Sequence, residues 1–164
     1  MEEWDVVTLQ QVSHESFNYN TYTPYIEKLA EYVRENCPKA KLVLHHTWGY
    51  EAGSERLSNV GYQSFEKMSE DIEKVYKTAA DNIQADGIIP SGKTMLNLFK
   101  KLLKPHRDTF HADLGYGRYS IALTWYGDLT GKDVMENKFR NFDIPVTEKE
   151  IQIAKEAAKE ALEV

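Results

Sequence analysis

The chain reads as an α/β domain of three layers, with helices on both sides of a mostly parallel sheet. Three observations lead there. Short aliphatic runs at residues 6–10, 41–45 and 86–90 alternate with longer segments whose apolar residues recur at three- and four-residue steps, the order expected of β-α-β units. None of these runs alternates apolar with polar residues as a half-solvated strand would, so each is expected to be covered on both faces. The 164 residues, 41% apolar and 28% charged, suffice for one continuous core, and residues 1–164 are read as one domain.

Val6-Val7-Thr8-Leu9-Gln10 is the first strand, ended by a polar stretch from Gln11 to Asn20. Thr23 is expected to cap the next helix with Pro24 in its first turn, and Ile26, Leu29, Ala30 and Val33 form its buried face before the stop at 36–38. Residues 41–45 follow as a second strand, and a right-handed crossover would set it parallel to the first. Residues 51–63 show neither period and are read as a loop at the carboxyl end of that strand. Ser64 opens a long helix with Phe65, Met68, Ile72, Val75, Tyr76, Ala79 and Ile83 as its apolar stripe. After the third strand, Ser91 or Thr94 starts a helix through Met95, Leu98, Phe99 and Leu102. Another helix carries Tyr119, Ala122, Leu123, Tyr126 and Leu129 and is closed by Gly131. Thr147-x-x-Glu150 is a capping box that opens a terminal helix with Ile151, Ala154, Ala158, Ala161 and Leu162.

The net charge of −6 offers no field to attract nucleic acid or an anionic membrane surface, so neither is an expected partner. Cys37 is the only cysteine, which excludes an internal disulfide. No window approaches the roughly 20 apolar residues that cross a bilayer, and no leader pattern opens the chain. The chain is therefore expected to be soluble, cytoplasmic as written, and exported if a signal peptide lies upstream in the natural gene. No cofactor is expected.

The most informative stretch is Arg107-Asp108-Thr109-Phe110-His111. A carboxylate three residues before an imidazole, in a turn just ahead of an apolar helix, can present both side chains at one rim. Asp108 would then orient the ring through one nitrogen while the other serves as general base. These are the acid and base members of a hydrolase triad.

Four blocks extend this reading along the chain. They are Trp4 to Ser13 (WDVVTLQQVS), Leu42 to Tyr50 (LVLHHTWGY), Asp86 to Gly92 (DGIIPSG), and the run from Arg107 through Gly117-Arg118-Tyr119 and Leu123-Thr124-Trp125-Tyr126 to Leu129-Thr130-Gly131. In these blocks the chain resembles the SGNH (GDSL-type) hydrolase superfamily, and within it the DUF4886 domain family. The resemblance implies an SGNH-hydrolase-like, flavodoxin-like fold and a serine esterase or acetylhydrolase acting on small acyl esters, carbohydrate esters among them. It also implies a nucleophilic serine at the end of a first strand, in a GDS-like turn, activated by the His of Asp-x-x-His. No such strand or turn occurs here. The chain is accordingly read as N-terminally truncated, with the nucleophile absent and negligible activity on its own. Relatives in the family are often exported.

Gln10, Gln11 and Ser13 follow the first strand, where open parallel sheets gather ligand groups and where the resemblance places an oxyanion donor. Gln11 is the first choice, Ser13 the second, with Gln10 beside them. His45 and Trp48 end the second strand at the same rim and join the substrate-binding candidates. Adjacent His45 and His46 point to opposite faces of a strand, one to the rim and one to the core, and no further ligand spacing accompanies them, so no metal site is assigned. Ser13 and Ser91 both follow strands, but neither stands in a nucleophile elbow. Arg118 is expected to pair with a nearby carboxylate.

Two other functions remain open. One is a binding module without catalysis, holding a glycan or acyl ligand among Trp48, Tyr50 and the rim polar groups. The other is nucleotide binding, because Gly87 to Thr94 matches G-x-x-x-x-G-K-[ST]. Aliphatic residues and Pro90 inside that match argue against a phosphate loop. Lastly, a first strand lacking its neighbour would leave residues 6–10 as an open edge, and pairing of two such edges predicts a homodimer.

Overall fold

The computed structural model describes residues 3–163. Its three strands, β1 (Val6–Leu9), β2 (Lys41–His45) and β3 (Gly87–Ile89), form one wholly parallel sheet in the order β1-β2-β3. Val7 pairs with Leu42 and Leu44 with Ile88. Six helices surround it: α1 (Tyr25–Asn36), α2 (Glu55–Asn59), α3 (Phe65–Ile83), α4 (Ser91–Lys100), α5 (Tyr116–Thr130) and α6 (Glu148–Leu162).

Alternation along β2 divides the core in two. Leu42 and Leu44 face α1 and α3, joining Ile26, Ala30, Met68, Ile72 and Tyr76. Val43 and His45 point the other way, where the His45 ring meets Trp125 of α5 with centroids 4.8 Å apart. Behind α5 lies a second cluster, in which Met95 and Leu98 of α4, Leu123 of α5 and Ile151, Ala154 and Ala158 of α6 are all buried. Polar pins join these helices. The hydroxyls of Thr94 and Thr124 lie 2.6 Å apart, and Asn97 donates to the Ala157 carbonyl. The parallel sheet flanked by helices is thus the expected α/β arrangement.

Local chemistry sets most boundaries where expected. Ser64 caps α3 by accepting from the Lys67 amide, Thr147 and Glu150 form the reciprocal box on α6, and Gly131 closes α5 in the left-handed region at φ 67°. Four details differ. Pro24, not Thr23, occupies the cap of α1 and offers no side-chain acceptor, so the helix starts at Tyr25. Residues 51–63 are not all loop, because Ser54 accepts from the Leu57 amide and opens α2, which buries Leu57. Leu29, Ala122 and Leu129 are exposed, the first beside the open flank of β1. Leu102 lies beyond α4 with φ 65° and is fully turned to solvent.

Among the described residues β1 is hydrogen-bonded to a strand on one side only. Its Thr8, on the face opposite α1, is exposed, whereas its β2 partner Val43 is buried. The flank beside β1 is therefore open both at its backbone edge and on one face.

Candidate active site

The turn ahead of α5 is built to hold a carboxylate against an imidazole. Asp108 Oδ1 accepts the backbone N–H groups of Phe110 (3.0 Å) and His111 (2.8 Å), and Oδ2 lies 2.8 Å from His111 Nδ1. Arg107 Nε adds a weaker contact at 3.5 Å. Donation from the backbone and then from the ring holds the Asp108 carboxyl well below the usual carboxylate range, so it is ionised at neutral pH. His111 Nε2 has no partner among the described residues, and the ring is about half exposed. Such a pair fixes the tautomer with the proton on Nδ1 and turns a basic nitrogen outward.

The turn itself is clamped from three sides. His106 and Ala112 form an isolated antiparallel bridge, with the Arg107 amide donating to the His111 carbonyl. Trp48 Nε1 donates to the Phe110 carbonyl at 2.8 Å, and the Glu51 amide to the Thr109 carbonyl. Arg56 of α2 donates from Nε to Thr109 Oγ1 and lays its guanidinium over the Phe110 ring at 4.4 Å. Below the turn, buried His106 bonds to the Gly49 carbonyl, and burial pushes its pKa down. Asp113 then accepts from Gly115 and Gly117 and starts α5.

At the carboxyl end of the sheet the polar candidates take different roles. Gln11 is engaged: its Nε2 donates to the Thr21 carbonyl and Oγ1, and its Oε1 accepts from the Val12 amide. The Ser13 carbonyl accepts from the Ser16 hydroxyl. Gln10 is exposed, with Oε1 2.6 Å from His45 Nδ1, and the other nitrogen of His45 lies 3.0 Å from Ser91 Oγ. His45 and Trp48 are neighbours at 6.5 Å, so the strand-end groups connect through the indole to the Asp108–His111 turn. His46 points into the core against Tyr76, as alternation requires. Arg118 pairs with Asp143 at 3.6 Å.

Arg56, Trp125 and the bonded line Gln10–His45–Ser91 were not singled out by the sequence reading. Only Arg56 had a local signal, the Ser54 cap that opens its helix. The match to a phosphate loop dissolves on geometry, because Gly87–Ile89 is paired with β2 and the Gly92 amide donates to the His46 carbonyl. Tyr50 is buried and offers no face to a glycan. No helix among the described residues is long and apolar enough to cross a membrane.

Comparison with known proteins agrees with this architecture. A crystal structure of a DUF4886 family protein from Bacteroides uniformis superposes with a TM-score of 0.89 at 32% identity, covering 98% of this chain and 63% of that one. This chain therefore spans less than two thirds of that relative's length. A protein from Slackia heliotrinireducens, provisionally described as an SGNH hydrolase, matches with a TM-score of 0.61 at 23% identity over 78% of this chain and 67% of its own, a likeness of fold. No curated protein matches. The model of the family named "Domain of unknown function (DUF4886)" matches residues 1–161, and the chain belongs to that family.

Proposed function

We propose that this chain is the acid-base and oxyanion-donating part of an SGNH-like serine hydrolase for small acyl esters, including acylated carbohydrates. The observation that carries the reading is the Asp108–His111 pair, with one carboxylate oxygen held by two backbone amides and the other by the imidazole. A pairing of two exposed residues for stability alone would be worth little, whereas fixing a tautomer with its second nitrogen outward is what general-base catalysis requires.

In the proposed reaction a serine hydroxyl from polypeptide outside these residues gives its proton to His111 Nε2 as its oxygen bonds to the ester carbonyl carbon. The tetrahedral oxyanion takes a hydrogen bond from the Gln10 carboxamide, a contact typically worth about 3 kcal/mol of barrier. The intermediate collapses, the alcohol leaves with the proton from His111, and water repeats the sequence to release the acid and restore the serine. Asp108 stays ionised throughout and stabilises the imidazolium. No resident cofactor takes part.

The test joins this chain to the part of the Bacteroides uniformis relative that has no counterpart here. The chimaera is expected to hydrolyse p-nitrophenyl acetate and to lose that activity on His111→Ala, while this chain alone gives no His111-dependent turnover. A chimaera that folds and is inactive, or whose activity ignores His111, overturns the reading.

A further inference from the structure

Three polar side chains from the carboxyl ends of adjacent strands lie in one hydrogen-bonded line, Gln10 after β1, His45 at the end of β2 and Ser91 after β3. The line runs from a fully buried hydroxyl to an exposed carboxamide, since Ser91 is 0% exposed and Gln10 stands at the surface. Edge-on rings of Trp125 and Trp48 at 4.8 and 6.5 Å set the plane of His45.

Burial at one end decides where every proton lies. Among the described residues the Ser91 hydroxyl has no partner other than His45 Nε2. A buried O–H without an acceptor costs about 1–3 kcal/mol, so Ser91 donates and Nε2 is bare. A neutral imidazole carries one proton, which therefore sits on Nδ1 and is donated in turn. Gln10 must receive it on Oε1, and its two amide N–H groups are left pointing away from His45 at the exposed rim. The reversed amide would reverse the whole line and strand the buried hydroxyl proton. Burial also pushes the His45 pKa down to about 4, so the ring stays neutral in neutral solution.

We propose that Ser91 acts through His45 as a positioning residue, fixing the Gln10 carboxamide with its N–H groups toward the rim, where they donate to the oxygen of a carboxylate or ester-derived oxyanion. The nature of the ligand rests on the esterase reading; the proton positions do not. Ser91 itself is too deeply buried to meet a substrate. The sequence separations of 35 and 46 residues explain why no local motif announces the line.

Nitrogen-15 spectra of the full chain labelled at histidine read the tautomer directly. His45 is expected in the Nδ1–H form, opposite to the preference of a free imidazole side chain. Gln10→Ala, an exposed change, leaves that form in place because Ser91 still faces Nε2. Ser91→Ala releases the ring to a mixture. Sodium acetate, of the product class, is expected to shift the wild-type Gln10 side-chain amide signals and to shift them less in Ser91→Ala. A wild-type Nε2–H tautomer, or loss of the Nδ1–H form in Gln10→Ala, overturns the relay, and should Ser91→Ala not fold, those two spectra still decide. Gln10 signals indifferent to acetate overturn the donor role. An inactive chimaera, by contrast, removes the esterase reading and leaves the tautomer assignment standing.

Discussion

The Trp48 indole N–H donates to the Phe110 carbonyl at 2.8 Å, tying the segment after β2 to the turn that holds the carboxylate and imidazole. Trp48→Phe keeps most of the apolar contact and removes the donor. One part-buried hydrogen bond is worth about 1 kcal/mol, which for a chain of this size lowers the melting temperature by roughly 2–4 °C. Amide hydrogen exchange is expected to quicken at Phe110 and His111 and not in α6. Unchanged exchange in the turn would show that Arg56 and the His106–Ala112 bridge hold it without Trp48.

Asp108 has two separable duties, and two substitutions divide them. Asp108→Asn keeps an oxygen for the Phe110 and His111 amides and removes the charge that favours the imidazolium. Asp108→Ala removes both. On the proposed esterase reading, Asp108→Asn in the chimaera is expected to lower kcat by about 10⁴, the size of loss seen when a triad carboxylate becomes an amide. The melting temperature should fall for Asp108→Ala and stay near the parent value for Asp108→Asn. Equal stability of the two would mean that the backbone contacts do not shape the turn.

Most features that depend on residues close in sequence were readable in advance. Ser64, Thr147 and Gly131 act within one helical turn, and Asp108 and His111 are three residues apart. What failed depended on distant packing, except at the starts of α1 and α2, where the caps are local. Leu29 has the right period to be buried, but period cannot say whether anything covers the flank of β1. Thr23 has the chemistry of a cap and lost the position to Pro24. Which of Gln10 and Gln11 is tied to a neighbour, and to which, depends on a hydroxyl, Thr21 Oγ1, and on a ring, His45, that no strand pattern locates.

His46 makes the fold sensitive to acid. It is fully buried beside Tyr76, and burial lowers its pKa to about 4, with Glu73 opposing the shift and His45, Lys77 and Lys93 reinforcing it. A histidine whose folded pKa lies below its unfolded value of about 6.5 stabilises the fold when neutral, so its contribution is complete above pH 6.5 and is lost as pH falls toward 4. Each unit by which the folded pKa lies below the unfolded one removes about 1.4 kcal/mol. His45 and His106 shift in the same direction. Urea unfolding between pH 7 and pH 4 should show the decline, and His46→Gln should flatten it while lowering stability at pH 7. A slope the variant leaves intact would assign the acid sensitivity elsewhere.

Gly92 has no room for a side chain. A β-carbon there would collide with the Thr47 carbonyl and come within 2.6 Å of His46 Nε2. Since the first of these is backbone, Gly92→Ala must displace the start of α4 from the end of β2. Overpacking of this kind costs about 1–3 kcal/mol and sometimes more, and calorimetry should find a corresponding fall in melting temperature. Ser91 moves with the same helix end, so the variant should also broaden the His45 ring signals. A melting temperature equal to the parent's would contradict the close packing of β2 on α4.

We further propose that the open edge of β1 pairs with a second copy of the chain. The edge strand is short, and the adjoining face of α1 exposes Tyr25 (66%), Leu29 (49%) and Tyr32 (64%), three apolar side chains at i, i+4 and i+7. Unpaired strand groups beside such a stripe favour association, and a twofold axis normal to the sheet would align the two edges antiparallel. Light scattering is expected to give twice 18.9 kDa at high concentration. Tyr25→Glu with Leu29→Glu should return the monomer, because the apolar stripe is lost and like charges gather on both sides of the axis, whichever of the two positions lies nearer it. A wild-type monomer at every concentration rejects the pairing, and a dimer indifferent to this double variant places the contact on another surface.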